Sequence, residues 1–200
     1  MKLPQSYYLN DKVVEISRDL LGKYLFTSIE GLVTGGYIVE TEAYNGVIDR
    51  ASHAFGNRLT PRTKTMYMPG GIAYVYLCYG IHEMFNIVVS VEGNPLAILI
   101  RAIQPMDGLD IMLQRRHMTS VKPNLTSGPG SVAKALGISR NINALSLQSD
   151  TIWIEDRGLT FPDERIASVP RIGVSYAAED ALLPYRFYVK GNPYVSKPNK

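Results

Sequence analysis

Glu42 stands two residues before Tyr44 in the run ETEAY (40–44), and His53 follows in DRASHA (49–54). Downstream, YVYLCY (74–79) supplies Tyr74, Tyr76 and Tyr79, and FNIV (85–88) supplies Asn86. A carboxylate can orient and deprotonate water. Aromatic rings stack on either face of any nucleobase, and hydrogen-bonding groups such as His53 or Asn86 can then discriminate among bases. The grouping has the chemistry of a base-binding pocket with a carboxylate in it. The same residues also read as plain structure: tyrosines in strands are commonly half-buried sheet residues, and a Glu on a strand is usually solvated.

These residues need strands and an ordered loop to hold them. Residues 10–22 read as an amphipathic helix, with Asn10 as N-cap, Val13, Ile16 and Leu20 on one stripe, and Gly22 as the stop. From Lys23 to Ala43, β-branched and aromatic residues punctuated by Gly31 and Gly35-Gly36 predict a hairpin whose second strand runs into ETEAY. A long irregular stretch from Asn45 to Gly71 carries His53; loops of that length are commonly functional. AYVYLCY (73–79), FNIVVSV (85–91) and LAILIRAI (96–103) predict three strands in an antiparallel meander. Helices are expected at 107–117, capped by Asp107, and at 128–136, after a Ser-Gly-Pro-Gly turn whose amides could hold a phosphate. TIWIE, RIGVSYA and RFYVKG add short strands, and VSKPNK ends the chain as a frayed tail. Without βαβ alternation, the fold class is α+β: a single compact domain over 1–200, with a curved, mostly antiparallel sheet and surrounding helices.

Composition permits this and excludes other classes. A chain of 200 residues, 46% hydrophobic and 20% charged, has the make-up of a globular domain. One cysteine, Cys78, cannot form an internal disulfide and reads as a small strand hydrophobe. No Cys/His spacing suggests a metal site, and nothing asks for a cofactor. No stretch has the character of a signal peptide or reaches transmembrane length, so a cytoplasmic protein without membrane contact is expected. The net charge of +3 is mildly basic and permits a polyanionic partner without demanding one. Arg58, Arg62 and Lys64, and then Arg115, Arg116 and His117, are basic clusters whose plain reading is a solvated surface.

Several separated segments, in order, carry a more specific signal: ETEAY, DRASHA, TPR with MYMPGG (60–71), YVYLCYGIHEMFNIV (74–88), LIRAIQP (99–105), SGPGSVAKALGI (127–138), RIGV (171–174) and RFYVKGNPYVS (186–196). Together they resemble the alkyladenine DNA glycosylase family, the 3-methyladenine DNA glycosylases of the mammalian type, over about residues 20–196. The resemblance implies a compact α+β domain acting as a monomer on double-stranded DNA that contains damaged purines. It would be nucleoid-associated in a bacterium and nuclear in a eukaryote. By that resemblance Glu42 is the general base and Arg101 helps to place the carboxylate and water. Tyr44 and His53 form one wall of the base pocket and Tyr76 the other, while Asn86 crowds the 2-amino group of guanine. Tyr79 is the wedge that enters the duplex, flanked by Ile81 and His82, and Arg62 and Thr60 lie on the DNA side. The sequence departs from vertebrate members at His82, where they carry an aromatic, and at Pro69-Gly70-Gly71.

Strand alternation puts Glu40 on the same face as Glu42, so the residues alone leave two candidate carboxylates; the family match selects Glu42. Two rival functions share parts of the pattern. The family's fold also occurs in formyl- or acyl-transferring domains, and a module that stacks single strands on tyrosines would leave Glu42 incidental.

Overall fold

The computed structural model describes residues 1–196. Strands β1 (Tyr24–Ile29) and β2 (Leu32–Tyr44) form an antiparallel hairpin closed by Glu30 and Gly31, at φ 55° and 76°. Two successive left-handed residues give a turn whose twist matches that of the strands it joins. The meander follows as β3 (Ile72–Cys78), β4 (His82–Val89) and β5 (Leu96–Asp107), and β5 returns to pair with β2. β6 (Ile152–Glu155) lies outside β1, giving the order β3-β4-β5-β2-β1-β6. β7 (Ile166–Val169) pairs with β8 (Arg186–Val189), and β8 pairs in turn with β2 over Glu40–Glu42. All of these pairings are antiparallel.

The long β2 strand does not run flat. Its register against β5 shifts at Gly35/Gly36 and on either side of Glu40, and such irregularities bend a strand and increase its twist. The result is a curled antiparallel sheet with, among the described residues, four α-helices: α1 (Gln5–Tyr8), α2 (Val13–Asp19), α3 (Leu109–Arg116) and α4 (Pro129–Leu136). α2 and α4 pack on the sheet, and the core between them includes Ile16, Leu20, Ile38, Phe85, Ile100 and Leu136. The fold class is α+β, as the sequence predicts. Among the described residues no helix is long and apolar enough to cross a membrane.

Five local expectations are corrected. The first long helix is shorter than 10–22: Asn10 accepts a hydrogen bond from the Lys12 N–H at 3.0 Å, which is an Asx turn before the helix rather than its cap. Gly35 and Gly36 are no break but lie within β2, because a side chain at Gly36 would collide with the Gln104 carbonyl and one at Gly35 with the rings of Tyr24 and Phe26. Asp107 ends β5 and accepts from the Tyr24 hydroxyl at 2.6 Å, leaving Gly108, at φ 70°, before α3. RIGVSYA forms no strand: Arg171 is buried and anchors a turn, and residues 175–182 coil in a 3-10 run. The strand lies just before it, at Ile166–Val169. The predicted frayed tail is fixed as far as Ser196, which is hydrogen-bonded to Glu40; Lys197 to Lys200 lie outside the described residues.

Candidate active site

At residues 40–42, β2 has β8 on one edge and β5 on the other, so its backbone is paired on both sides. Glu40 and Glu42 are both fully buried. A carboxylate removed from water must be compensated by hydrogen bonds or opposite charge. For Glu40 this comes from three neighbours. Its Oε1 accepts from Nε of Arg101 at 2.9 Å, Nε of Arg186 at 2.7 Å and the Ser196 hydroxyl at 2.9 Å, and its Oε2 accepts from the Ser196 N–H at 2.6 Å. Arg101 then reaches past Glu40: an outer nitrogen lies 3.3 Å from Oε1 of Glu42. Burial alone would push the Arg101 guanidinium down, but the Glu42 and Glu40 charges hold it above its usual value.

Glu42 is also held from its own strand and from a distant turn. The Tyr44 hydroxyl donates to Oε2 at 2.9 Å, and the Ile172 N–H donates to Oε1 at 2.8 Å. Burial, and then the charge of Glu42, push the Tyr44 phenol well above its usual value, so it stays a donor. The turn carrying Ile172 is pinned by a buried ion pair. Arg171 grips both oxygens of Asp49 and donates to the carbonyls of Ala43 and Asp180, while Asp49 accepts from the amides of Asn45 and Ala51. One ion pair thus orders the turn behind Glu42 and the start of the loop that carries His53.

That loop closes an aromatic pocket over β3 and β4. A cavity of about 40 Å³ is lined by Tyr44, His53, Tyr74, Tyr76, Asn86 and Tyr176, among others. It continues into a cleft of about 490 Å³ that reaches Arg101, Ile172 and Tyr79. The His53 and Tyr76 rings meet edge-on, with centroids 4.7 Å apart, and the Arg62 guanidinium stands 4.5 Å over the Tyr76 ring. His53 shares a 2.9 Å hydrogen bond between Nδ1 and the Tyr74 hydroxyl. Burial and the nearby Arg62 and Arg58 push its pKa down to about 4, so the ring is neutral near pH 7. Asn86, opposite Tyr74 across the β3–β4 pair, uses Nδ2 on the carbonyls of Tyr74 and Met84 and is thereby fixed in place.

Buried carboxylates beside an aromatic pocket are the setting in which the comparison with known proteins is decisive. The sequence profile described as methylpurine-DNA glycosylase matches residues 7–193. The chain belongs to the methylpurine-DNA glycosylase family. A protein of Bacillus cereus (strain G9842) is 44% identical over 208 residues, spanning 98% of this chain and 100% of the relative. One from Chlamydia felis (strain Fe/C-56) is 48% identical over 187 residues, spanning 92% of this chain and 94% of the relative. Both carry the name "Putative 3-methyladenine DNA glycosylase". Membership in the methylpurine-DNA glycosylase family places the chain among the DNA glycosylases of base excision repair, hydrolases whose substrate is DNA.

Of the remaining residues singled out in the sequence, Tyr79 and Arg62 line the larger cleft, whereas Ile81 and His82 line a separate one against the start of α4. Tyr79 and Gly80 form the β3–β4 turn at φ 50° and 74°, closed by the Ile81 N–H on the Cys78 carbonyl. Tyr79 is 90% exposed and Ile81 72%, a large apolar pair left in water at a turn tip. His82 is exposed too, and its ring packs on Gly130 at the start of α4. Thr60 spends its N–H and hydroxyl on Thr63, and with Arg50, Arg58 and Arg62 it borders a second cleft of about 430 Å³ beside His53.

Sequence reasoning missed Asp49, Arg171, Arg186, Ser196 and Tyr176 as site residues. The first four stand inside the quoted motifs, but their motifs were read as strands, loop and tail. A charged residue within a predicted strand segment, as in RIGV, was the usable signal for Arg171. Tyr176 had none: it borders the pocket only because the 171–182 turn folds over, with its hydroxyl on the Ala51 carbonyl at 3.1 Å. Among the described residues no group of three or more His, Cys, Asp and Glu side chains is placed to hold a metal ion.

Proposed function

We propose that this protein flips an alkylated or deaminated purine out of double-stranded DNA and hydrolyses its N-glycosidic bond, with Glu42 activating the water. The observation that carries the reading is the setting of Glu42. It is a buried carboxylate held by Tyr44, Ile172 and Arg101, and all three of these partners line the cleft that joins the aromatic pocket.

Glycoside hydrolysis passes through an oxocarbenium-like state, for which most glycosidases use two carboxyl groups, one of them to protonate the leaving group. A purine methylated at N3 or N7 is already cationic and leaves without that help. One carboxylate is then enough: it accepts a proton from water as the oxygen bonds to the sugar C1′, while the electrons of the C1′–N bond depart with the base. The negative charge of Glu42 also faces the developing sugar cation. Neutral substrates such as hypoxanthine and ethenoadenine need a hydrogen bond to the ring, for which neutral His53 is at hand.

Flipping costs a few kcal/mol, less for a damaged base, and stacking on an aromatic side chain returns roughly 1–3 kcal/mol per base. In this reading Tyr44, His53 and Tyr76 receive the base, Asn86 excludes the guanine 2-amino group, and Arg62 leaves the Tyr76 ring for a phosphate. Tyr79, flanked by Ile81 and His82, fills the vacated stack, and Thr60 borders the strand path. The product is an intact abasic site, because no lysine lines the pocket or the two adjoining clefts among the described residues; a monomer is the working state in this reading.

The test is a duplex carrying one hypoxanthine or one 3-methyladenine, assayed for free base and then run on a denaturing gel with and without alkali. Free base with strand scission only after alkali is expected. A covalent adduct trapped by borohydride, or no free base from either duplex, would overturn the reading; a transferase or a single-strand-binding module releases none.

A further inference from the structure

Arg101, which orients Glu42, is held at two further points, and the second comes from the far end of the chain. Nε of Arg101 donates to Glu40 at 2.9 Å and one outer nitrogen donates to the Ser196 hydroxyl at 3.2 Å, leaving the other outer nitrogen 3.3 Å from Glu42. The Ser196 hydroxyl passes its own hydrogen to Oε1 of Glu40, and the Ser196 N–H takes Oε2. Ser196 therefore satisfies both oxygens of the carboxylate that orients Arg101 and touches Arg101 as well. It lies beyond the residues matched by the family profile, 7–193.

The segment that delivers Ser196 is itself fastened. Asn192 donates to the Gln104 side chain at 2.9 Å, the Tyr194 N–H donates to the Asn192 side chain at 3.0 Å, and the Ser127 hydroxyl donates to the Val195 carbonyl at 3.3 Å. Ser127 bridges Ala102, the neighbour of Arg101 on β5. The Ser-Gly-Pro-Gly turn thus serves, on this side, as a buttress for the last residues.

We infer that Ser196 is a positioning residue for base release: the C-terminal segment latches onto Glu40 and fixes the rotamer in which Arg101 faces Glu42. This rests on the reading of Glu42 as the group that activates water. Without the latch, Oε2 of Glu40 loses its N–H partner and becomes a competing acceptor in a water-poor site. Arg101 then has a second carboxylate oxygen to turn toward, and it turns away from Glu42.

Three variants separate the parts. Ser196→Pro removes both the N–H and the hydroxyl, Ser196→Ala removes the hydroxyl alone, and Ser196→Thr keeps both. Each is assayed for single-turnover base release, affinity for lesion duplex and thermal midpoint. The expected result for Ser196→Pro is release slowed about 10- to 100-fold, the range that small misplacements at an active site produce, with duplex affinity unchanged. Ser196→Ala is slowed less, and Ser196→Thr returns to the parent rate. Where Ser196→Pro lowers the thermal midpoint, the Ala and Thr pair decides by the same split of rate from affinity. Parent rates in both Ser196→Pro and Ser196→Ala, or a rate loss matched by an equal loss of affinity, would overturn the latch. Glu42→Gln run alongside keeps the two ideas apart: inactive Glu42→Gln with fully active Ser196→Pro sinks the latch alone, and active Glu42→Gln sinks the reading of Glu42.

Discussion

The Ile172 N–H donates to Oε1 of Glu42 at 2.8 Å across 130 residues of sequence, and the turn that brings it there is held by the buried pair of Arg171 and Asp49. Removing one partner of a buried ion pair leaves an uncompensated charge and costs about 3–5 kcal/mol, whereas replacing both by apolar residues is far milder. Asp49→Ala should lower unfolding stability by that amount in urea titration. Asp49→Leu with Arg171→Met should recover most of the stability but not the rate of base release, because nothing then fixes the Ile172 N–H. Equal stability in Asp49→Ala and the parent would show that the pair does not hold the turn.

Tyr79 occupies a left-handed position that Asn and Gly favour in a two-residue turn. Tyr79→Asn should therefore leave the thermal midpoint equal or slightly higher while weakening lesion-duplex binding by about 1–3 kcal/mol, the worth of one stacked aromatic. Unaltered affinity and excision would remove the wedge role.

His53 gives a pH signature. Its folded pKa is about 4 against an ordinary 6.5, so between those values the unfolded chain takes up a proton that the folded chain does not. Stability attributable to His53 is complete above pH 6.5 and falls as pH drops toward 4, by up to about 3 kcal/mol. His53→Gln should lose less stability than the parent between pH 7 and pH 4.5 in denaturant titrations. Parallel losses in the two proteins would mean that His53 is not buried as a neutral ring.

Asn86 spends its amide hydrogens on two backbone carbonyls, so under the proposed function it would meet a base as fixed bulk. Discrimination by exclusion predicts that Asn86→Ser admits what the parent rejects. Release of guanine from a mismatched duplex should rise above background; a background rate would assign the exclusion to another residue.

The sequence was most legible where a short pattern sets a local structure. The meander of β3, β4 and β5 follows from three apolar runs and their turns, and the hairpin of β1 and β2 from Gly31. Tyr44, His53, Tyr76 and Asn86 line one cavity in the structure. What stayed hidden depends on contacts far apart in sequence. Glu40 and Glu42 look equivalent by alternation, and only Arg186 and Ser196, more than a hundred residues away, make Glu40 the saturated one. RIGVSYA has strand composition, but burying Arg171 against Asp49 overrode that propensity. The stacking of Arg62 over Tyr76 leaves no mark in sequence.

The most direct test of the central claim is single-turnover release of 3-methyladenine and hypoxanthine by Glu42→Gln, with affinity for the same duplexes measured in parallel. The amide keeps the shape of the side chain and its bonds to Tyr44 or Ile172, but it cannot take the water's proton. The account predicts parental affinity with release slowed by about 10²–10⁴-fold. Release at the parental rate, with Glu40→Gln inactive, would contradict it and move the chemistry to the other carboxylate.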